Sequence, residues 1–131
     1  MKSIQAIIVD DVKFIRAELI SMLAKYDWIS VVGEANNGLQ ARELIEKTQP
    51  DVVFLDICLP KLTGFELLDS INKKFEVIFI SSFDKYLPEA QKYDAVDFLM
   101  KPINRELLNQ AINKLEAVSQ KTELNQKEIN L

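Results

Sequence analysis

Residues 4–11 read Ile4-Gln5-Ala6-Ile7-Ile8-Val9-Asp10-Asp11, and this stretch decides the fold. A short β-branched run stopped by two carboxylates reads as a buried strand with charge at its carboxyl end. The pattern recurs along the chain. Val52-Val53-Phe54-Leu55 closes on Asp56, and Phe98-Leu99-Met100 closes on Lys101-Pro102. If these runs are parallel strands of one sheet, Asp10, Asp11, Asp56 and Lys101 gather at its carboxyl edge. That edge is where open α/β sheets bind ligands. Three crowded carboxylates repel one another and favour a bound cation.

The intervening sequence supplies the crossovers. A helix is predicted from residue 11 or 12 to about 25, with Phe14, Ile15, Ala17, Leu19, Met22 and Leu23 as its apolar residues. Residues 30–35 read as a second strand, Asn36-Asn37-Gly38 as a turn, and 39–47 as a helix with Ala41, Leu44 and Ile45 inward. The run 52–56 is the most apolar strand, as expected of one covered on both faces. Thr63 is the expected N-cap of a third helix reaching about residue 72, with Glu66 as its capping-box partner. Residues 76–81 form a fourth strand ending at Ser81. A loop over 83–86 precedes a short helix with Pro88 in its first turn. Residues 97–100 form the fifth strand. Asn104 caps a last helix whose apolar face is Leu107, Leu108, Ala111, Ile112 and Leu115. After about Ser119 the apolar spacing thins.

Five strands alternating with five helices predict an α/β fold, a parallel sheet covered on both faces. Right-handed crossovers leave few arrangements. The expected one is flavodoxin-like and doubly wound, with strand order 2-1-3-4-5. Strands 1 and 3 are then neighbours at the switch point, which brings Asp10 and Asp11 beside Asp56. Residues 1–120 are expected to form one domain, with 121–131 a C-terminal helix extension or linker.

Composition removes other chemistries. The chain has 131 residues, 48% of them hydrophobic and 27% charged, so it can build a core. Sixteen basic residues against twenty acidic ones give a net charge of −4. That argues against nucleic-acid binding by this segment, because phosphate contacts need a basic face. There is no histidine and only Cys58 among thiols. Ser-His-Asp and Cys-His catalysis, His-ligated zinc and an internal disulfide are therefore excluded. A metal at the edge must be hard and oxygen-bound, with Mg²⁺ first and Mn²⁺ second. No apolar run is long enough to span a bilayer, and Met1-Lys2-Ser3 leads straight into a strand. A cytoplasmic protein with no membrane partner is the expectation.

Singly, each edge residue has an ordinary reading as a helix cap, a turn former or a solvated lysine. Jointly, Asp10-Asp11, Asp56, Pro60, Gly64, Ser81 and Lys101-Pro102 resemble the receiver domain of bacterial two-component response regulators, over residues 3 to about 118. The stretch 83–86 with 95–103 is most similar to receivers fused to LytTR-type DNA-binding domains. The resemblance implies a phospho-accepting switch rather than an enzyme. Asp56 would accept phosphate from a sensor histidine kinase or phosphotransfer protein. Asp11, Asp56 and the Cys58 backbone carbonyl would bind Mg²⁺, with Asp10 acting directly or through water. Lys101 would contact the phosphoryl group, the Ser81 hydroxyl would turn toward it, and Phe98 would move inward as the switch aromatic. The surface of the fourth helix, fifth strand and fifth helix would respond, with a phosphorylation-dependent homodimer as one outcome. Transcriptional output and DNA contact would come through a C-terminal domain outside this chain.

The sequence departs from the family pattern at Ser82, where alanine is usual, and at Phe98, which lacks the commoner tyrosine hydroxyl. Cys58 and Phe83 flank the site and could tune hydrolysis. Three other readings compete. A stand-alone receiver would act through protein contacts alone. An aspartyl-nucleophile phosphatase needs a second acid two residues after the nucleophile, where this chain has Cys58. A flavin-binding protein needs a glycine- or hydroxyl-rich phosphate loop, where this chain has Asp10-Asp11-Val12-Lys13.

Overall fold

The computed structural model describes residues 3–129. Met1 and Lys2, and Asn130 and Leu131 at the end of the expected 121–131 extension, lie outside them. The chain runs β1 (Ile4–Val9), α1 (Lys13–Leu23), β2 (Ile29–Ala35), α2 (Gly38–Thr48), β3 (Val52–Asp56), α3 (Gly64–Asp69) and β4 (Glu76–Ser81). It continues with α4 (Leu87–Ala90), β5 (Asp97–Met100) and α5 (Arg105–Ile129). The five strands pair in parallel in the order β2-β1-β3-β4-β5. The expected architecture is the observed one.

Strand periodicity splits the core into two layers. Ile4, Ala6 and Ile8 of β1 pack with Leu19, Leu23, Leu108, Ile112 and Leu115, under α1 and α5. Ile7 and Val9 pack on the other face with Ala41, Ile45, Leu67 and Leu68, under α2 and α3. The same alternation, carried past the strand ends, assigns Asp10, Asp56 and Lys101 to the α1/α5 side. Ser81 follows Val77 and Phe79 on the opposite side, and Phe98 lies there too. The register pairs Val9 with Leu55, Asp56 with Ile80, and Ser81 with Met100. Asp10 and Asp56 therefore finish level, in line with Leu99, and Lys101 follows two residues further along β5.

Several helices differ from the sequence reading. Helix α1 spans Lys13–Leu23, and Phe14 is 71% exposed rather than inward. Its inward stripe follows from Leu19, Met22 and Leu23, and Phe14 lies about 100° around the helix from Ile15. Leu107 is likewise 46% exposed, one position off the buried stripe of Leu108, Ala111, Ile112 and Leu115. Helix α3 stops at Asp69, three residues early. There the backbone tightens to three-residue bonds, Ser70 N to Leu67 O at 3.1 Å and Ile71 N to Leu68 O at 3.4 Å. The Ser70 hydroxyl also donates to the Leu67 carbonyl, competing with helical continuation. The segment expected as a loop over 83–86 contains a 3₁₀ turn, Asp84–Tyr86, and a second, Gln91–Tyr93, follows α4.

The remaining local signals act as expected. Thr63 and Glu66 form a reciprocal capping box, with bonds of 3.0 and 3.1 Å. Asn104 Oδ1 accepts from the N–H groups of Glu106 and Leu107 at the start of α5. Asn37 adds a cap at α2, accepting from Gln40 N at 2.9 Å.

Candidate functional site

Two carboxylates at the sheet edge are almost fully buried: Asp10 at 0% and Asp56 at 2% exposure. Asp11, one residue on, faces solvent. One carboxylate oxygen from each of the three lies within 4.8 Å of the others. The sequence set Asp10, Asp11 and Asp56 is therefore one cluster.

Asp10 divides its two oxygens. Oδ1 accepts from Val12 N at 2.8 Å, closing the turn into α1, where Val12 provides no side-chain cap of its own. Oδ2 lies 2.5 Å from Lys101 Nζ. That contact is an ion pair between two groups held away from solvent. Asp10 thus closes a turn with one oxygen and faces Lys101 with the other. Asp56 is similarly divided. Its Oδ1 accepts from Cys58 N at 3.2 Å, and its Oδ2 lies 3.1 Å from Lys101 Nζ.

The electrostatics follow from this crowding. Burial pushes the Asp56 carboxyl above its ordinary value of 3.8; the Lys101 ammonium opposes that rise and the Asp10 charge adds to it. For Lys101, burial alone acts to lower the pKa. The hydrogen bond to Asp10 and attraction to Asp56 and Asp10 outweigh it, and the ammonium is held above its ordinary 10.5. One ammonium among three carboxylates leaves an excess of negative charge and only oxygen donors. That donor set fits a small hard cation such as Mg²⁺.

Gly64 explains how α3 reaches this edge. A Cβ at Gly64 would lie 2.8 Å from the Asp56 carbonyl oxygen and 3.1 Å from Ile57 Cα. Its N–H also bonds to the Ile57 carbonyl at 2.9 Å. The loop 57–63 is folded back so tightly that only a residue without a side chain fits. Lys61 turns that loop with a φ of 69°.

Ser81 is fully buried at the end of β4. Its hydroxyl donates to the Phe83 carbonyl at 3.2 Å and accepts from Phe83 N at 3.0 Å. It is thus bound to the β4–α4 loop rather than to the carboxylates. Lys101 N donates to the Ser81 carbonyl at 2.8 Å, and the Lys101-Pro102 bond is cis. Phe98 is half-buried and borders a cavity of about 160 Å³ with Leu87, Ala90, Gln91, Ala95 and Asp97.

Two contacts lay beyond the sequence reading. Arg16 Nη1 donates to the Asp10 carbonyl at 2.6 Å, and its Nε to Glu34 Oε1 at 3.0 Å. The only sequence cue is an arginine in the first turns of α1 and an acid near the end of β2. Tyr86 has its hydroxyl raised above its ordinary 10.0 by a hydrogen bond to Cys58, linking the 83–86 turn to the residue two after Asp56.

Comparison with known proteins agrees with this geometry. Residues 6–113 match the family described as response regulator receiver domain. An uncharacterized response regulatory protein of Vibrio cholerae is 37% identical over 114 residues, covering 86% of this chain and 48% of that protein. The transcriptional regulatory protein BtsR of Salmonella typhi is 34% identical over the same length and coverage. The chain spans about half the length of these curated relatives. Among solved structures, the response regulatory domain of protein mrkE from Klebsiella pneumoniae superposes with a TM-score of 0.81 at 25% identity, covering 89% of this chain and 98% of that one. The response regulator domain of Thermotoga maritima CheB gives 0.74 at 35% identity, covering 91% and 96%. Among the described residues, no helix is long and apolar enough to cross a membrane. With sheet order, acidic cluster and sequence in agreement over most of its length, the chain belongs to the response regulator receiver domain family of two-component systems.

Proposed function

We propose that this domain is a phospho-accepting switch in which Asp56 takes a phosphoryl group from a sensor histidine kinase or phosphotransfer protein. The observation that carries the reading is Asp56 itself. It is a buried carboxylate at the end of the central strand, held between one ammonium and two further carboxylates. An Asp56 oxygen forms the new P–O bond as the P–N bond of the donor's phosphohistidine breaks, and the imidazole leaves with that electron pair. Asp10, Asp11, Asp56 and the Cys58 backbone carbonyl would hold Mg²⁺, or Mn²⁺ in its place. The ion would supply charge neutralisation between the incoming phosphoryl oxygens and the carboxylates.

Lys101 keeps its proton at neutral pH and meets the added charge of the phosphoryl group, roughly −1.5 to −2. The Ser81 hydroxyl would leave Phe83 and turn to a phosphoryl oxygen. Its release frees the β4–α4 loop, and the cavity beside Phe98 gives that ring room to move inward. The face made by α4, β5 and α5 then changes, and pairing of two copies through it is the proposed response. With Cys58 where a phosphatase would carry its second acid, the domain is assigned no steady turnover of its own.

Residues 1–120 are assigned to the receiver unit and 121–131 to a C-terminal helix extension or linker. The domain is placed in the cytoplasm. Because BtsR, a relative about twice as long, is a transcriptional regulatory protein, the output is proposed to be transcriptional, with DNA bound by a C-terminal domain outside this chain.

The test is labelling by acetyl phosphate with Mg²⁺. Wild type should take up one phosphoryl group and Asp56→Asn none. Undiminished labelling of Asp56→Asn would remove the assignment.

A further inference from the structure

Resting on the proposed metal site, we infer that Arg16 is a positioning residue that straps the Asp10-Asp11 turn to the end of β2 and so sets the affinity of the acidic cluster for Mg²⁺. Arg16 lies in α1 with only 12% of its side chain exposed. Its guanidinium makes two directed bonds, Nη1 to the Asp10 backbone carbonyl at 2.6 Å and Nε to Glu34 Oε1 at 3.0 Å. Glu34 is the penultimate residue of β2, and Asp10 N bonds to the carbonyl of its neighbour Ala35 at 3.1 Å. The peptide bearing Asp10 is thus tied to β2 on both its N–H and its C=O.

The choice of atom matters. Arg16 engages the carbonyl of Asp10 and leaves both carboxylate oxygens to Val12 N and Lys101. It therefore fixes the turn without occupying a ligand. Such fixing is needed because Asp10 and Asp11 are adjacent carboxylates facing a third, and repulsion favours their moving apart. A guanidinium can bridge two acceptors in one plane, whereas a lysine ammonium is a point charge on a flexible stem.

A strap and a bare charge predict opposite signs. As a mere positive charge beside a cation site, Arg16 opposes Mg²⁺, and its removal tightens binding. As a strap, its removal loosens the ligands and weakens binding. Loss of an outer support of this kind lowers metal affinity about tenfold to a hundredfold.

The experiment is calorimetric titration of the 131-residue chain with MgCl₂, well below the Tm of every variant. Arg16→Ala and Arg16→Lys should both bind Mg²⁺ at least about tenfold more weakly than wild type. Glu34→Ala, which frees one end of the strap on an exposed side chain, should weaken it less. Should Arg16→Ala fail to fold, Arg16→Lys and Glu34→Ala carry the test. Arg16→Lys binding as wild type does, or Arg16→Ala binding more tightly, would overturn the inference while leaving the metal site intact. Wild type binding no Mg²⁺ would overturn both the metal site and the strap.

Discussion

Lys101 Nζ sits 3.1 Å from Asp56 Oδ2, bridging the ends of the central strand β3 and the edge strand β5. The same nitrogen pairs with Asp10 on β1's end, so one ammonium ties three strands together. Replacing it strands two buried carboxylates. Lys101→Met should lower stability by about 3 kcal/mol at neutral pH. The loss should shrink in acid, where Asp56, its pKa raised by burial, takes up a proton. Because the Lys101 pKa is raised, its stabilisation is complete below 10.5 and disappears as pH rises through the folded value. Urea unfolding of both proteins across pH checks both statements.

Asp56 has the same sign of pH dependence, in a lower pH window. Its pKa is raised above 3.8, chiefly by burial, so the folded state binds its proton more tightly than the unfolded chain does. Stability from this group is complete below 3.8 and is lost as pH rises through the folded value. Asp56→Asn removes that loss. Without Mg²⁺ at pH 7 its Tm should exceed that of wild type by several degrees, and the gap should close as pH falls toward 3.8. An equal or lower Tm at pH 7 would contradict the strain assigned to this carboxylate.

Metal binding should appear as stabilisation. At about 100 times its dissociation constant, a ligand that binds only the folded state adds about 2.7 kcal/mol. Thermal melts of wild type with and without MgCl₂ should differ accordingly. Asp11→Ala, altering the solvent-facing member of the cluster, should lose most of that shift while keeping its metal-free Tm.

Gly64→Ala places a methyl group 2.8 Å from the Asp56 carbonyl, against backbone that has no rotamer to escape into. A cost of about 1–3 kcal/mol is expected. Displacement of β3's end should also slow acetyl phosphate labelling. Denaturant unfolding and a labelling time course read the two effects separately.

Helix α1 offers a contrast between neighbours. Phe14→Ala should change stability by no more than about 0.5 kcal/mol, because the ring already stands in solvent. Leu19→Ala, on the buried stripe, should cost about 2–5 kcal/mol. Both residues belong to the apolar spacing of the helix in the sequence.

That contrast marks the limit of legibility. Five apolar runs with charged ends, and the alternation of strands with helices, were written locally along the chain. Strand burial and the crossover rule follow from such runs, so the sheet order and the edge set Asp10, Asp11, Asp56, Ser81 and Lys101 could be read from the sequence. Thr63 and Asn104 were readable because a cap bonds within three residues. The orientation of α1 and α5 was not, since Phe14 and Ile15, or Leu107 and Leu108, differ only by the turn each helix takes against the sheet.

The sequence by itself determined which groups arrive at the carboxyl edge, because strand length and termination are local properties. Tertiary structure alone decided how their atoms are shared. It gave one Asp10 oxygen to Val12 and the other to Lys101, turned Ser81 toward Phe83, and pressed Gly64 against Asp56. It also reached 18 residues along the chain to join Arg16 to Glu34. The contacts of Lys101, Gly64 and Arg16 join separated segments, are set by sheet register and loop closure, and are encoded by no local pattern, whereas the bonds of Asp10 to Val12 and of Ser81 to Phe83 are turns two residues long.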